Sequence, residues 1–323
     1  MRVVLCVLVG LCAGSSLHAQ SPDAGIPGVQ VHGLLQGWVT ASSGESAPAV
    51  RLRRAEVQLG GRVTPAATWT VMVDAARAID NLSILQDAFV TVKLHDRVGL
   101  RVGRLVVPLS LEGTRPAGEL ELLERSLLMT DGGRHGRYGD VRDVGALLDV
   151  RSGPLLYQVG YFRGESLFVE GGRRAVVGRV QLAVPAATWL RIGGSAASDA
   201  GGGDRSRHAN RMGGDLAIAL SRWTFMSEIM KGTDDGIDRL GHATLAEYRL
   251  TSSVRLAGRV EMWDPDTTRE WARSDTRERA VTGGATWQVP GRPVRLQANY
   301  VRRWARLDTR PSHEVRTGLQ TSW

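Results

Sequence analysis

Cysteine is nearly absent from this chain of 323 residues, since its two cysteines, Cys6 and Cys12, both lie close to the amino terminus. The rest of the sequence can therefore form no disulfide framework and no thiolate metal site. Long apolar runs are missing as well, and no later window reaches the roughly eighteen consecutive apolar residues of a transmembrane helix. Lysine is scarce: apart from Lys93 and Lys231, every cation is an arginine.

Signatures of catalysis are also missing. The seven histidines are scattered without a zinc-binding spacing, and no Gly-x-Ser-x-Gly motif occurs. The aspartates of loop 233–239 lack the EF-hand spacing, which favours a solvated loop over a calcium site. We therefore expect no enzyme, no cofactor and no metal site. A less favoured alternative is a hydrolase that assembles a Ser/His site between strands, with these histidines as sources: His32, His208, His242 and His313.

The amino terminus has the pattern of a secretory signal peptide. A basic Met1-Arg2 precedes an apolar run from Val3 to Ala13, and small residues follow up to Ala19. We expect cleavage after Ala19, which gives a signal peptide over residues 1–19 and one large domain over residues 20–323. Net charge is +8, but the basic residues are mixed with acids at strand spacing behind an export signal. This distribution argues against nucleic-acid binding.

Most of the chain alternates between apolar and polar residues with a period of two, which is typical of strands with two different faces. In the last stretch, Val315, Leu319 and Trp323 share one face, while Arg316 and Gln320 share the other. The pattern predicts sixteen strands, at about 29–40, 50–62, 68–77, 84–94, 98–106, 143–151, 155–163, 174–184, 188–197, 211–220, 223–232, 240–250, 254–263, 278–289, 294–304 and 313–323.

The connections between these strands differ in length in a regular way. Tight turns follow the even-numbered strands, and the long loops mostly follow the odd-numbered ones, as in membrane barrels with short periplasmic turns. Five tryptophans lie near the tight turns, where an aromatic girdle is expected: Trp69, Trp189, Trp223, Trp287 and Trp323. The sequence thus predicts an all-β, transmembrane antiparallel β-barrel of about sixteen strands.

Three stretches resemble the phosphate-selective porin O/P family. They begin at Arg53-Arg54-Ala55-Glu56, at Leu85-Gln86-Asp87-Ala88 and at Leu123-Glu124-Arg125-Ser126, and together they cover about residues 50–165. The resemblance implies a pore-forming, usually trimeric barrel of the bacterial outer membrane whose third long loop folds into the lumen. Here that loop is the connection 107–142, in which residues 118–129 can form a short helix. The amphipathic last strand ending on Trp323 resembles the signal that the barrel-assembly machinery reads.

A barrel of sixteen strands leaves an aqueous lumen, so the polar face of each strand would line a pore. Arginine predominates on that face, which predicts passive diffusion of small hydrophilic solutes with a preference for small anions. The pore-lining candidates are Arg54, Arg101, Arg179, Arg191, Arg255, Arg259, Arg295 and Arg316. The constriction-loop candidates are Arg115, Arg125, Arg134, Arg137, Glu121 and Glu124.

Each single arginine is more often a cross-strand partner of an acid than a solute contact, so only the excess as a set argues for anions. The family's phosphate-selective members use lysine as well as arginine, and the scarcity of lysine weakens the prediction of phosphate as the solute. A closed structural or adhesive barrel, with its lumen plugged by the long loop, is the alternative. The expected partners are outer-membrane lipid and lipopolysaccharide, the barrel-assembly machinery, small anions and, by resemblance, two further copies in a trimer.

Overall fold

The computed structural model describes residues 28–129, 138–167, 174–199, 209–234, 236–267, 277–305 and 311–323. The predicted signal peptide and three of the candidate residues, Arg134, Arg137 and His208, lie outside the described residues.

Sixteen strands form the fold, joined by short turns and by longer connections. They are β1 (Val29–Ser42), β2 (Ala49–Thr64), β3 (Ala67–Asp74), β4 (Leu85–His95), β5 (Val98–Val106), β6 (Arg142–Ser152), β7 (Leu155–Phe162), β8 (Ala175–Ala183), β9 (Leu190–Asp199), β10 (Ala209–Leu220), β11 (Trp223–Asp234), β12 (Ile237–Arg249), β13 (Val254–Asp264), β14 (Glu278–Gln288), β15 (Val294–Ala305) and β16 (Ser312–Ser322). Every predicted strand is confirmed, and the largest difference at one strand end is three residues. β3 was expected to end at residue 77 and ends at Asp74, and β12 was expected to begin at residue 240 and begins at Ile237.

The strands form one closed antiparallel barrel in which each strand pairs with its neighbours in sequence. β1 and β16 close the barrel, with Gln36 opposite Gln320 and Gly37 opposite Leu319. Leu319 is 50% exposed on the outer face, while Gln320 is 5% exposed inside. The predicted alternation of β16 is therefore confirmed. The sheet has two distinct ends, called here the tight-turn end, near residues 96, 153 and 221, and the long-loop end.

Four register shifts interrupt the pairing among the described residues, and two of them bear on the residues of the interior described below. In β2 the register shifts so that Gln36 faces Arg54 and Gly37 faces Leu52, which leaves Arg53 as the extra residue. A bulge turns two successive side chains to one side, and both Arg53 and Arg54 point into the barrel. The same happens in β4, where the shift between Met72 and Val73 leaves Gln86 and Asp87 both buried inside.

The interior is less polar than the strand pattern predicts. Towards the long-loop end, inward side chains such as Leu105, Leu147 and Phe162 are buried and join a hydrophobic cluster. The connection between β5 and β6 supplies further members of this cluster, among them Leu128 and Met129. The barrel therefore has an internal apolar core towards its long-loop end, to which strands from β5 to β15 contribute.

In the described part of the connection after β5, residues 107–129 and 138–141, no α-helix forms, so the short helix that residues 118–129 could have formed is absent. Two 3₁₀ turns form in that part, Glu112–Thr114 and Ala117–Glu119. Across the described residues, no helix is long and apolar enough to span a membrane. In the same residues, no three potential metal-ligating side chains come together.

Candidate functional site

The connection between β5 and β6 lies inside the barrel, and its described residues, 107–129 and 138–141, are called here the inner segment. Its backbone carbonyls accept hydrogen bonds from the far wall. Gln320 donates to the Gly118 carbonyl at 3.0 Å, and Arg295 donates to the Leu120 carbonyl at 3.1 Å. Gln297 donates to the Glu121 carbonyl at 3.2 Å. These bonds replace those of a helix, which explains why the leucine-rich stretch stays extended.

The start of the inner segment is fixed to a different part of the wall. The backbone N–H of Ser110 donates a hydrogen bond to Ser195 Oγ at 3.2 Å. Its hydroxyl donates to Glu228 at 3.0 Å, and the Leu111 N–H donates to the same carboxylate. Ser195 and Glu228 lie on β9 and β11, whereas the wall residues that bind positions 118–121 lie on β14 to β16. The inner segment therefore crosses the lumen.

Arg259 on β13 holds the middle of the inner segment through several hydrogen bonds. Its buried guanidinium pairs with Glu261 at 3.1 Å and donates to the Glu124 and Arg125 carbonyls at 2.8 and 3.1 Å. Glu261 in turn accepts the N–H of Leu127 at 2.6 Å. Arg259 was predicted to line the pore, but its donors are used to anchor the inner segment.

Glu124 forms a second anchor, on the opposite side of the segment. Its carboxylate lies 3.1 Å from Arg53 and 3.8 Å from Arg316. Both guanidiniums also lie over the ring of Trp38, at 5.3 and 5.9 Å from its centroid. Burial would raise the pKa of Glu124, but Arg53, Arg54 and Arg316 outweigh it and lower the pKa to about 2. The carboxylate is therefore held ionised.

The predicted constriction cations are likewise occupied within the inner segment. Arg115 makes a bidentate pair with Glu121, with N–O distances of 2.8 and 2.7 Å. Burial lowers the pKa of Arg115, but hydrogen bonding to Glu121 and its charge outweigh burial and raise it. Arg125 is buried, lies 3.1 Å from Asp140 and donates to the carbonyls of Glu112 and Arg115. These two arginines shape the segment rather than offering free charge.

The other predicted pore-lining arginines fall into two groups. In the first group, acids or amides occupy the guanidinium: Arg101 meets Asp149 at 2.7 Å, and Arg179 meets Asp215 at 2.7 Å. Both of these pairs join different strands, as the cross-strand interpretation expects. Arg54 instead donates to the neutral amide of Gln36 at 2.6 Å, and Arg316 pairs with Glu314 on its own strand.

The second group lies on inward positions at the tight-turn end and is more open. Arg191 and Arg255 are exposed, and Arg295 is half-buried. Strand alternation adds Arg62, Arg151 and Arg249, all exposed, to the same end. We call these six arginines the cationic mouth. Arg249 and Arg255 are directly opposite each other on neighbouring strands. The carboxylate of Glu247 lies 4.0 Å from the guanidinium of Arg255. The mouth is therefore positive on balance.

Several residues that shape the site were not singled out from the sequence. Arg53 escaped because a bulge, not alternation, turns it inward. Glu112 and Glu228 escaped because their partners are distant in sequence: Glu112 meets Arg259 at 3.5 Å, and Glu228 meets Ser110. Nothing in the local pattern distinguishes such acids from solvated ones.

Three of the histidines considered for a hydrolase site lie in the described residues, and they are on three different strands: His32 on β1, His242 on β12 and His313 on β16. His242 faces outward on β12, where its Nε2 lies 2.9 Å from Thr244 Oγ1 and 3.5 Å from Ser227 Oγ. His313 contacts Tyr300 through Nδ1 at 2.6 Å. Among the described residues, no carboxylate is hydrogen-bonded to the ring of His242, so its orientation is not that of an activated base.

The family model of phosphate-selective porin O and P matches residues 40–180, which confirms the resemblance seen over residues 50–165. No curated protein matches the sequence. Solved structures match the fold at low identity. A loop L8 deletion mutant of OmpT from Vibrio cholerae is 12% identical, with a TM-score of 0.67 over 91% of this chain and 99% of the other.

Two further structures show the same architecture. Salmonella typhi OmpF in complex with daunomycin is 13% identical, with a TM-score of 0.68 over 91% of this chain and 97% of the other. In vitro folded OmpT of Vibrio cholerae in its trimer form is 10% identical, with a TM-score of 0.64 over 91% and 99%. The chain therefore has the sixteen-stranded barrel fold of these outer-membrane proteins.

Proposed function

We propose that this chain is a porin of the outer membrane that lets small hydrophilic solutes diffuse passively and prefers anions. The observation that carries the proposal is the closed sixteen-stranded barrel with the inner segment bonded across its interior. A barrel of this size is too wide for its own side chains to fill. A loop that crosses the barrel narrows its lumen, so that the pore selects solutes by size.

The preference for anions rests on the cationic mouth. Acids pair with Arg101, Arg179 and Arg259 inside the barrel. We therefore assign the unbalanced charge to the tight-turn end, to Arg191, Arg255, Arg295 and their neighbours. A lumen lined by one sign of charge with low-dielectric walls attracts the opposite ion through its summed field. Arginine grips phosphate and carboxylate equally in a bidentate manner, so the mouth favours anions as a class.

The partners follow from the same proposal. OmpT of Vibrio cholerae has a trimer form, and by analogy we propose a homotrimer for this chain. Trp323, 51% exposed at the tight-turn end, would serve as the signal for the barrel-assembly machinery. The apolar outer face would contact outer-membrane lipid and lipopolysaccharide.

A closed barrel is the second candidate, and a specific observation favours it. The inner segment is bonded to β9, β11 and β13 to β16, and it shares the buried apolar cluster with the wall. Such a segment could plug the lumen completely and leave a structural or adhesive barrel.

Conductance of the refolded protein in a planar bilayer separates the two candidates. The porin proposal predicts stepwise currents that scale with bulk salt concentration, as expected for a water-filled pore. An absence of current, in protein whose strand content and heat-modified mobility match a folded barrel, would contradict it and favour the closed barrel. Block of chloride current by low phosphate concentrations would identify phosphate as a preferred solute.

A further inference from the structure

The outer face of the barrel carries two arginines near the long-loop end, Arg279 on β14 and Arg302 on β15. Their inward neighbours Ala280 and Val301 are buried inside the barrel, so both arginines point outward. In the register of β14 and β15, Arg279 is directly opposite Trp304, and Val281 is directly opposite Arg302. The two arginines are therefore diagonal neighbours, about 7 Å apart at the backbone.

Neither arginine has an acidic partner among the described residues. The guanidinium of Arg302 lies over the ring of Trp304, 4.7 Å from its centroid. This contact differs from the arrangement inside the barrel, where Arg101, Arg179 and Arg259 each face a carboxylate. A pair of cations on an apolar outer wall calls for an anion from outside the chain.

A groove lies beside these arginines on the outer face. It has a volume of about 500 Å³, and its outward side chains are His242, Val260, Met262, Arg279, Val281 and Trp304. Two inward-pointing residues, Glu261 and Ala280, complete its lining. Val260 and Val281 are 50% and 43% exposed, so the groove has apolar walls and a cationic end.

The groove continues towards the tight-turn end as a strip without side chains. Gly258 and Gly283 are directly opposite each other on β13 and β14. A Cβ placed on Gly283 would meet nothing within 4 Å. The strip is therefore an open depression between Val260 and Val281 on one side and Leu256 and Trp287 on the other.

The height of the arginines suits a headgroup. On β14, Arg279 lies eight residues before the exposed Trp287. At about 3.3 Å per residue and a tilt of roughly 40°, this is about 20 Å along the membrane normal. The apolar band of such barrels is about 25 Å tall, which places Arg279 near its outer boundary.

We propose that this surface is a binding site for lipopolysaccharide, in which Arg279 and Arg302 hold a phosphate of the lipid and the groove takes an acyl chain. The inference rests on the proposed outer-membrane function, because the orientation of the barrel puts the long-loop end in the outer leaflet. Charge complementarity selects the occupant: two guanidiniums that have no acidic partner in the described part of the chain match a phosphorylated glycolipid better than a neutral lipid.

The test uses protein that has been refolded in detergent and therefore carries no cellular lipid. Diphosphoryl lipid A is the probe. Binding is titrated by native mass spectrometry for the wild-type chain, the double variant R279Q/R302Q and the matched control R222Q, which alters an exposed turn arginine at the other end. We expect at least tenfold weaker binding for the double variant and unchanged binding for R222Q. Single-channel conductance of all three proteins should be equal, which separates this site from the proposed pore.

Lipid A stripped of both phosphates gives a second measurement that needs no variant. The wild-type chain should bind it at least tenfold more weakly than the diphosphoryl form. Equal binding of the two forms, or equal binding by wild type and double variant, would overturn the proposal. Equally strong binding of phosphatidylglycerol would also overturn it, since the surface would then recognise any anionic lipid. Self-association through this face that the double variant abolishes would identify a second copy as the occupant instead.

Discussion

At the scale of single residues, Glu124 shows how one carboxylate fixes a segment that has no secondary structure of its own. It lies between Arg53 and Arg316, and both of these arginines also contact Trp38. Without the carboxylate, three guanidiniums, including Arg54, would face one another in a confined space. The anchor therefore works by cancelling repulsion as much as by attraction.

Glu124→Gln should release this anchor. Removing one partner of a mostly buried ion pair takes a negative charge away from three neighbouring guanidiniums, and we expect the free energy of unfolding to fall by about 3 kcal/mol. Urea unfolding of the refolded barrel measures this quantity, and bilayer recordings should show noisier open currents as the segment moves. Glu119→Gln, in an exposed position of the same segment, is the matched control. Equal stability of the two variants would show that Glu124 is not an anchor.

The same residue predicts a dependence on pH. The pKa of Glu124 is about 2 in the folded chain against an ordinary value of 4.5. A depressed pKa means that the carboxylate stabilises the fold fully above about pH 4.5 and loses this effect as the pH falls towards 2. The difference in unfolding free energy between wild type and Glu124→Gln should be constant from pH 7 to pH 5 and then shrink. A difference that grows below pH 4 would contradict the assigned pKa.

At the scale of elements, the wall is shaped to receive the inner segment. Gly318 on β16 has no side chain where Leu123 approaches, and a Cβ there would overlap Leu123 Cδ2 and crowd Trp38. On β12, a Cβ at Gly241 would lie 2.6 Å from Leu128 Cδ2. Glycine in these strands therefore allows close approach, at the cost of weaker strand propensity.

Gly318→Ala should displace the inner segment. Overpacking of a well-filled interior costs about 1–3 kcal/mol, and we expect that loss in the free energy of unfolding together with faster protease cleavage within the segment. Gly37→Ala on the neighbouring strand is the control, since a Cβ there meets nothing within 4 Å. Identical cleavage rates for the two variants would mean that the segment does not pack against β16.

The strands could be read from the sequence because membrane and lumen impose a strict two-residue period. Counting back from Trp323 fixed the phase, and Arg316 lies inside while Leu319 lies outside, as predicted. The bulge at Arg53 could not be read, because two adjacent arginines fit either face. The extended backbone of the inner segment could not be predicted, because its leucines suit a helix, while its hydrogen-bond partners, such as Gln320 and Arg295, lie far along the chain.

The candidate site was predictable only as a set. Arginine excess on the inward faces indicated positive charge, but the sequence could not say which guanidiniums acids would neutralise. Arg179 pairs with Asp215 across the intervening β9, over Gly193, which has no side chain to separate them. The free charge is therefore found at one end of the lumen rather than along its length.

At the scale of the whole molecule, the barrel combines a supported constriction with a cationic mouth. The internal pairs make the wall and the inner segment rigid, and the mouth supplies the long-range field. Salt screens such a field, with a Debye length of about 10 Å at 0.1 M. Selectivity should therefore be strongest at low ionic strength.

The reversal potential of the open channel under a tenfold KCl gradient tests the central claim most directly. Wild-type protein should show a potential of the sign set by chloride, and R191Q/R255Q/R295Q should shift it towards zero, while the turn variant R222Q leaves it unchanged. The shift should be larger when both solutions are diluted. A wild-type potential set by potassium, or a triple variant that keeps the full chloride potential, would contradict the assignment of anion preference to the cationic mouth.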